Sequence, residues 1–177
     1  MKHLFLLRHA KSGWSDAIPR DFDRPLNPRG EQAAQLIGQY LRREKLSFGA
    51  VLASDAVRCV QTLARVEAGY GAALGAEWRR TLYLASAGTL LEAVQSLPEA
   101  TGQALLLGHN PGLEDLIFDL VPEGDALRAE VYEKFPTAAL AELVVAGGWG
   151  DFTPGAARLA RFVRPRDLDP SLGPDGD

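Results

Sequence analysis

The sequence predicts an α/β fold: a three-layer sandwich with a mostly parallel central sheet flanked by helices. Three observations carry that prediction. Short unbroken apolar runs at residues 4–7, 50–53 and 104–107 are bounded by turn-forming residues, and runs of that length suit strands buried on both faces. Helical periodicity fills the intervals between them, and a parallel neighbour needs a crossover that a helix usually supplies. With 46% hydrophobic and 24% charged residues over 177 positions, the chain can bury one ordinary core.

The elements follow in order. After the strand at 4–7, Asn27 as N-cap and Pro28 at the first helical position open a helix with Ala33, Leu36, Ile37, Tyr40 and Leu41 on one face, expected to end near Lys45. The strand at 50–53 leads into a second helix after Ser54-Asp55, running to about Gly69. A third helix follows Ser86 and reaches Leu97 before Pro98, and a fourth starts at Asn110-Pro111, just past the strand at 104–107. Residues 138–145 read as a further strand, 147–155 as a loop containing Trp149, and 159–163 as a last strand, antiparallel at an edge. From Pro165 onward Pro, Gly and Asp dominate, so one domain over 1–165 and a flexible tail over 166–177 are expected.

Composition narrows the function classes. Nineteen Lys and Arg against 23 Asp and Glu leave a net charge of −4, which argues against a nucleic-acid partner that would need a basic surface. The single cysteine, Cys59, permits no intrachain disulfide, and His3, His9 and His109 have no zinc-finger spacing. Arg8 and His9 cut the first apolar run short, and nowhere do about 18 apolar residues follow one another. The expectation is a cytoplasmic protein without a membrane partner.

Ligands of open α/β sheets bind beyond the carboxyl ends of the strands. There the sequence places Arg8-His9 after the first strand, Ser54-Asp55 and then Arg58 after the second, and Gly108-His109-Asn110 after the third. Four cationic or imidazole groups at one edge repel each other unless an anion sits among them, and the guanidinium fork suits a tetrahedral phosphate or sulfate. Helix N-termini after Ser54 and Asn110 add positive dipole ends to the same edge. An imidazole held at its far nitrogen can attack phosphorus, so one histidine serves as nucleophile and the other as donor. Lys11, Ser12, Trp14 and Asn110 are candidate substrate-binding residues at the rim, and Asp21, Asp23 and Arg24 are expected to form a loop network shaping the mouth.

Rival motifs fare worse. Cys59 and Arg65 fit the C-x5-R spacing of cysteine-dependent phosphatases, yet residues 60–64 are helical and free of glycine. Six helical residues turn by about 600°, which separates the pair around the axis, so Cys59 reads as a small buried hydrophobe. His3 lies mid-strand, where a hydrogen bond on the sheet face is expected. No G-x-x-x-x-G-K-[ST] or G-x-G-x-x-G pattern follows a strand.

The stretches Leu7-Arg8-His9-Ala10-Lys11-Ser12, Ser54-Asp55-Ala56-Val57-Arg58-Cys59-Val60-Gln61-Thr62 and Gly108-His109-Asn110-Pro111-Gly112 resemble the histidine phosphatase superfamily, and within it the SixA-type phosphohistidine phosphatases. Asp23-Arg24-Pro25-Leu26-Asn27-Pro28-Arg29-Gly30, Tyr83-Leu84-Ala85, Pro136-Thr137-Ala138-Ala139-Leu140 and Arg164-Pro165-Arg166-Asp167-Leu168 extend the resemblance through Leu168. It implies a phosphoglycerate mutase-like fold and a covalent mechanism with His9 as nucleophile. Arg8, Arg58 and His109 would bind the phosphoryl oxygens, no metal or other cofactor would take part, and the substrate would be phosphohistidine on a partner protein. Two other readings stay open: a phosphomonoesterase or mutase acting on a sugar or nucleoside phosphate, and a noncatalytic phosphate-binding module. The chain departs from the family pattern at Ala10 and Lys11, where Gly and an acidic or amide residue are usual. Asn110 follows His109, and no Glu is placed after the helix of Arg58, so the proton donor is unassigned.

Overall fold

Residues 1–173 are described by the computed structural model, in the order β1 (Lys2–Arg8), α1 (Pro28–Arg43), β2 (Ala50–Ser54), α2 (Val57–Tyr70), β3 (Glu77–Arg79), α3 (Ala87–Gln95), β4 (Gln103–Gly108), α4 (Gly112–Leu120), α5 (Ala126–Glu133), β5 (Leu140–Val145), β6 (Arg158–Val163) and α6 (Pro165–Leu168). The strands form one sheet of order β3-β2-β4-β1-β5-β6. The pairings β1–β4, β2–β4 and β2–β3 are parallel, while β1–β5 and β5–β6 are antiparallel, with β6 at the edge.

Alternation along β1 divides the core, because successive strand side chains point to opposite faces. Phe5 and Leu7 join Ile37 and Leu41 of α1 and Leu63 and Val66 of α2 on one side. Leu4 and Leu6 join Leu90 of α3, Leu113 and Ile117 of α4, and Trp149 and Phe152 on the other. The result is the three-layer α/β sandwich that the sequence predicts. Two glycines set the spacing of one layer: a Cβ on Gly38 would lie 2.0 Å from the Val66 carbonyl oxygen, and one on Gly69 would lie 2.0 Å from that of Gln35. The backbones of α1 and α2 therefore touch. Asn27 caps α1 as expected, its side-chain oxygen accepting the Gly30 N–H at 2.8 Å.

Three elements escape the sequence pattern. β3 is three residues long, with Glu77 and Trp78 exposed, so no apolar run marks it, and α5 buries Val131 alone. α6 corrects the expected boundary at 165. Pro and Asp, read as tail composition, here start turns: Pro165 and Pro170 stand at first-turn positions, and the carboxylates of Asp167 and Asp169 accept the N–H groups of Arg164 and Ser171 at 2.8 and 2.9 Å. Leu172 is buried in the core beside α1, so residues 166–173 are part of the folded body. The expected tail at 174–177 lies outside the described residues. Among the described residues no helix is long and apolar enough to cross a membrane.

Candidate active site

The parallel register of β1 and β4 pairs Arg8 with Gly108, and the His9 N–H donates to the Gly108 carbonyl at 3.0 Å. The next residue of each strand is a histidine, so His9 and His109 emerge together, ring centroids 5.2 Å apart. β2 flanks β4, and Ser54 at its end brings a hydroxyl to 2.8 Å from His109 Nε2. Arg58, in the first turn of α2, donates through Nη1 to the Asp21 carbonyl (2.8 Å) and through Nη2 to Asp21 Oδ2 (3.0 Å). Arg8 Nη1 donates to the Phe135 carbonyl at 3.0 Å. Arg8, His9, Arg58, Lys11, Ser12, Asp21, Arg24, Leu84, Asn110 and Thr137 line one cleft of about 470 Å³.

The hydrogen bonds fix the state of His9. Its Nδ1 lies 2.8 Å from the Ala10 carbonyl, and a carbonyl oxygen only accepts, so the proton sits on Nδ1 and Nε2 keeps a lone pair. Burial, reinforced by the neighbouring His109, Arg58 and Arg8, holds the ring well below its ordinary value of 6.5, which leaves it neutral at pH 7. His109 is pushed down to about 4 by burial and by Arg58. Ser54 Oγ accepts from the Ala56 N–H at 3.3 Å, and a hydroxyl can accept there while donating its own proton to His109 Nε2. With Ser54 donating, the His109 proton sits on Nδ1, a buried atom with no partner among the described residues.

A polar chain ties the histidine loop to α2. The Ala10 N–H donates to Thr62 Oγ1 (2.9 Å), and that hydroxyl donates to the Arg58 carbonyl (2.6 Å). The far side of the loop is held by Ala138, whose N–H reaches the carbonyls of Arg8 and His9 at 3.1 and 3.0 Å from a left-handed backbone with φ of 60°. Gly30 lets α1 abut the loop from beneath, since a Cβ there would lie 2.1 Å from the Lys11 carbonyl oxygen.

Residues 4–82 match the family model of the histidine phosphatase superfamily (branch 1). A structure assigned as phosphohistidine phosphatase SixA from Nakamurella multipartitia is 30% identical, with a TM-score of 0.78 over 93% of this chain and 96% of that one. The chain belongs to the histidine phosphatase superfamily. The corresponding SixA assignment from Agrobacterium tumefaciens is also 30% identical, with a TM-score of 0.79 over 93% and 98% of the two chains. An uncharacterized protein of Mycobacterium tuberculosis is 41% identical over 163 residues, 90% of this chain and all of that one.

In this histidine phosphatase superfamily member the fold brings Arg8, His9, Arg58, Lys11, Ser12 and Asn110 to one cleft, with His109 against His9. Trp14 is 59% exposed and lies against the guanidinium of the cleft residue Arg24 at 5.1 Å, outside the lining itself. Asp21 and Arg24 form the expected mouth network, paired at 3.0 Å, but Asp23 turns to Arg20 at 2.6 Å instead. The segment after α2 that reaches the cleft carries Leu84 there, with a positive φ of 48°. Glu114 accepts from Asn110 Nδ2 at 3.2 Å. Burial pushes the Cys59 thiol up to about 12 and Arg65 pairs with Glu31 at 3.2 Å, so the C-x5-R spacing builds no site. His3 donates from Nδ1 to Glu142 at 2.7 Å.

Sequence reasoning gave no role to Thr62, although its position four residues after Arg58 on α2 was a usable signal, or to Ser54 and Tyr83. Thr62→Val in this superfamily member strands the buried Ala10 N–H, and the expected loss of stability is about 1–3 kcal/mol, read from denaturant midpoints. A midpoint equal to that of the parent chain would remove Thr62 from the support of the loop.

The buried histidines also set a pH window. Both have folded values below the ordinary 6.5, so below that pH the unfolded chain binds more protons and stability falls as pH falls. For His109, held at about 4, the loss is complete near its folded value and amounts to about 3 kcal/mol. Unfolding midpoints measured from pH 7 down to 4 should fall steeply, and His109→Gln should flatten the fall. A flat profile in the parent chain would mean that the histidines are not buried as neutral rings.

Proposed function

We propose that this protein is a phosphatase that removes phosphate from phosphohistidine on a partner protein, through a covalent phosphohistidine at His9 and without a metal ion. The observation that carries the reading is the His9 Nδ1 hydrogen bond to the Ala10 carbonyl, which turns a neutral Nε2 lone pair toward chemistry in a cleft rich in arginine. In the first step the Nε2–P bond forms as the bond from phosphorus to the substrate nitrogen breaks, and the electron pair stays on that nitrogen. Arg8, Arg58 and the His109 Nδ1–H neutralise the phosphoryl oxygens, whose charge dominates such transfers. Water then attacks phosphorus, the P–Nε2 bond breaks, and inorganic phosphate leaves. A noncatalytic binding module would need the donors but has no use for that lone pair.

Two features support the substrate. The relatives at 30% identity over nearly their whole lengths are assigned as SixA phosphohistidine phosphatases. The carboxyl of Asp21 at the cleft is held at about 2, so it has no proton to give an alkoxide at neutral pH, help that is commonly worth about 10²- to 10⁴-fold. Imidazole leaves without such help once its second nitrogen is protonated. The sole cysteine, buried and free, suits a cytoplasmic setting.

The test is kcat/KM for a phosphohistidine peptide, p-nitrophenyl phosphate and a sugar phosphate, each in excess chelator. The peptide should be turned over fastest, the aryl phosphate weakly and the sugar phosphate least. A sugar phosphate turned over fastest would identify a phosphomonoesterase, and activity lost with chelator and regained with Mg²⁺ would overturn the metal-free mechanism.

A further inference from the structure

Among the described residues that line the cleft, Asp21 alone brings a carboxylate. In a pocket for a phosphoryl anion that group is a liability, because like charges a few ångströms apart repel. The fold nevertheless builds it in: Tyr83 donates its hydroxyl to Oδ2 at 2.6 Å, Arg58 Nη2 donates to the same oxygen at 3.0 Å, and Arg24 Nη1 donates to Oδ1 at 3.0 Å. Holding Arg58 does not require the carboxylate alone, since the Asp21 backbone carbonyl also accepts from Arg58 Nη1 at 2.8 Å.

Position and spare capacity suggest what the carboxylate faces. His9 lies at the floor of the cleft, 8% exposed, whereas the Asp21 side chain is 38% exposed at the mouth. In-line attack from the floor drives the leaving group toward the mouth. An ionised carboxylate offers about four lone-pair sites; the three named donors leave one, on Oδ1. A substrate that pairs its phosphoryl anion with a cationic N–H fits this cleft better than a phosphate ester, which brings negative charge only.

We infer that Asp21 is a specificity-determining residue, accepting a hydrogen bond from the ring N–H of the departing imidazole and so favouring phosphohistidine over phosphate esters. The inference rests on the substrate reading proposed above. No proton moves to Asp21 in the step: the P–N bond breaks, its electron pair stays on the ring nitrogen, the other ring nitrogen keeps its hydrogen, and neutral imidazole departs. Burial works against ionisation of Asp21, but hydrogen bonds from Tyr83 and Arg58 outweigh it and hold the carboxyl at about 2, so the acceptor is present throughout the neutral range.

The experiment compares kcat/KM for a phosphohistidine peptide and for p-nitrophenyl phosphate in the parent chain, in Asp21→Asn and in Tyr83→Phe. Asp21→Asn should lower the ratio of the two by at least about tenfold, the effect of losing one hydrogen bond to a charged group. Tyr83→Phe loosens Asp21 but keeps its charge, and should hold the ratio within about threefold. Equal falls for both substrates in Asp21→Asn, or an unchanged ratio, would overturn the inference and leave Asp21 as a support for Arg58. A parent chain that hydrolyses p-nitrophenyl phosphate but not phosphohistidine would instead overturn the substrate reading itself.

Discussion

His9→Ala is expected to leave no phosphorylated enzyme and a fall in turnover of about 10⁴-fold or more, the scale seen when a covalent nucleophile is removed. Nothing nearby replaces it. Cys59 is fully buried with its thiol pushed up to about 12, and the Ser54 hydroxyl is committed to His109. With Ser54 donating to its Nε2, His109 presents Nδ1 as a donor. The measurement is acid-free quenching with a labelled phosphoryl donor, since a phosphorus–nitrogen bond does not survive acid. Label on the parent chain and none on the variant is the expected pair of results. Equal labelling would move the nucleophile elsewhere.

Arg58→Ala is expected to slow the reaction by about 10²- to 10³-fold, the usual loss on removing one preorganised donor to developing charge. The side chain is 4% exposed and fixed by two bonds to Asp21, so its placement costs nothing at the moment of reaction. Arg58→Lys should recover little, because an ammonium cannot serve both oxygens of Asp21 and a phosphoryl group with the planar fork of an arginine. The fall belongs mainly in kcat for a donor that strengthens toward the transition state. A loss below threefold would place Arg58 outside the reacting pocket.

The parts of this molecule written in runs of residues are legible without coordinates. Leu4 to Leu7 and Ala104 to Leu107 announce buried strands, and the polar residues just beyond them, Arg8-His9 and His109-Asn110, fall where strand ends meet solvent. Asn27-Pro28 announces a helix start, and the cap at Gly30 is there. The parts that depend on contacts between distant segments are not legible. Asp21 reaches Arg58 across 37 residues from a loop with no periodic signal. Trp14 reads as a rim residue by proximity in sequence, and its packing against Arg24 of the mouth is a contact that the sequence does not announce. Thr62 reads as an ordinary threonine on a helix until the fold brings the Ala10 N–H to its hydroxyl. Residues 166–173 read as tail for a chemical reason: Pro and Asp signal disorder in bulk and helix starts in particular places, as Pro165 and Asp167 show.

The register that opposes Arg8 to Gly108 bears on how this gene can change. Each strand residue advances about 3.3 Å and reverses the face of every residue after it. Deleting or inserting a single codon within β1 or β4 would therefore carry one histidine off by that distance and turn it to the opposite side of the sheet, and the pair of rings now 5.2 Å apart would be lost together. Point substitutions within Leu4 to Leu7 can be absorbed by repacking; a change of length there cannot. A change of length is borne at less cost in an exposed connection, such as 72–76 between α2 and β3, and two histidines a hundred residues apart are bound to one another as though they were neighbours.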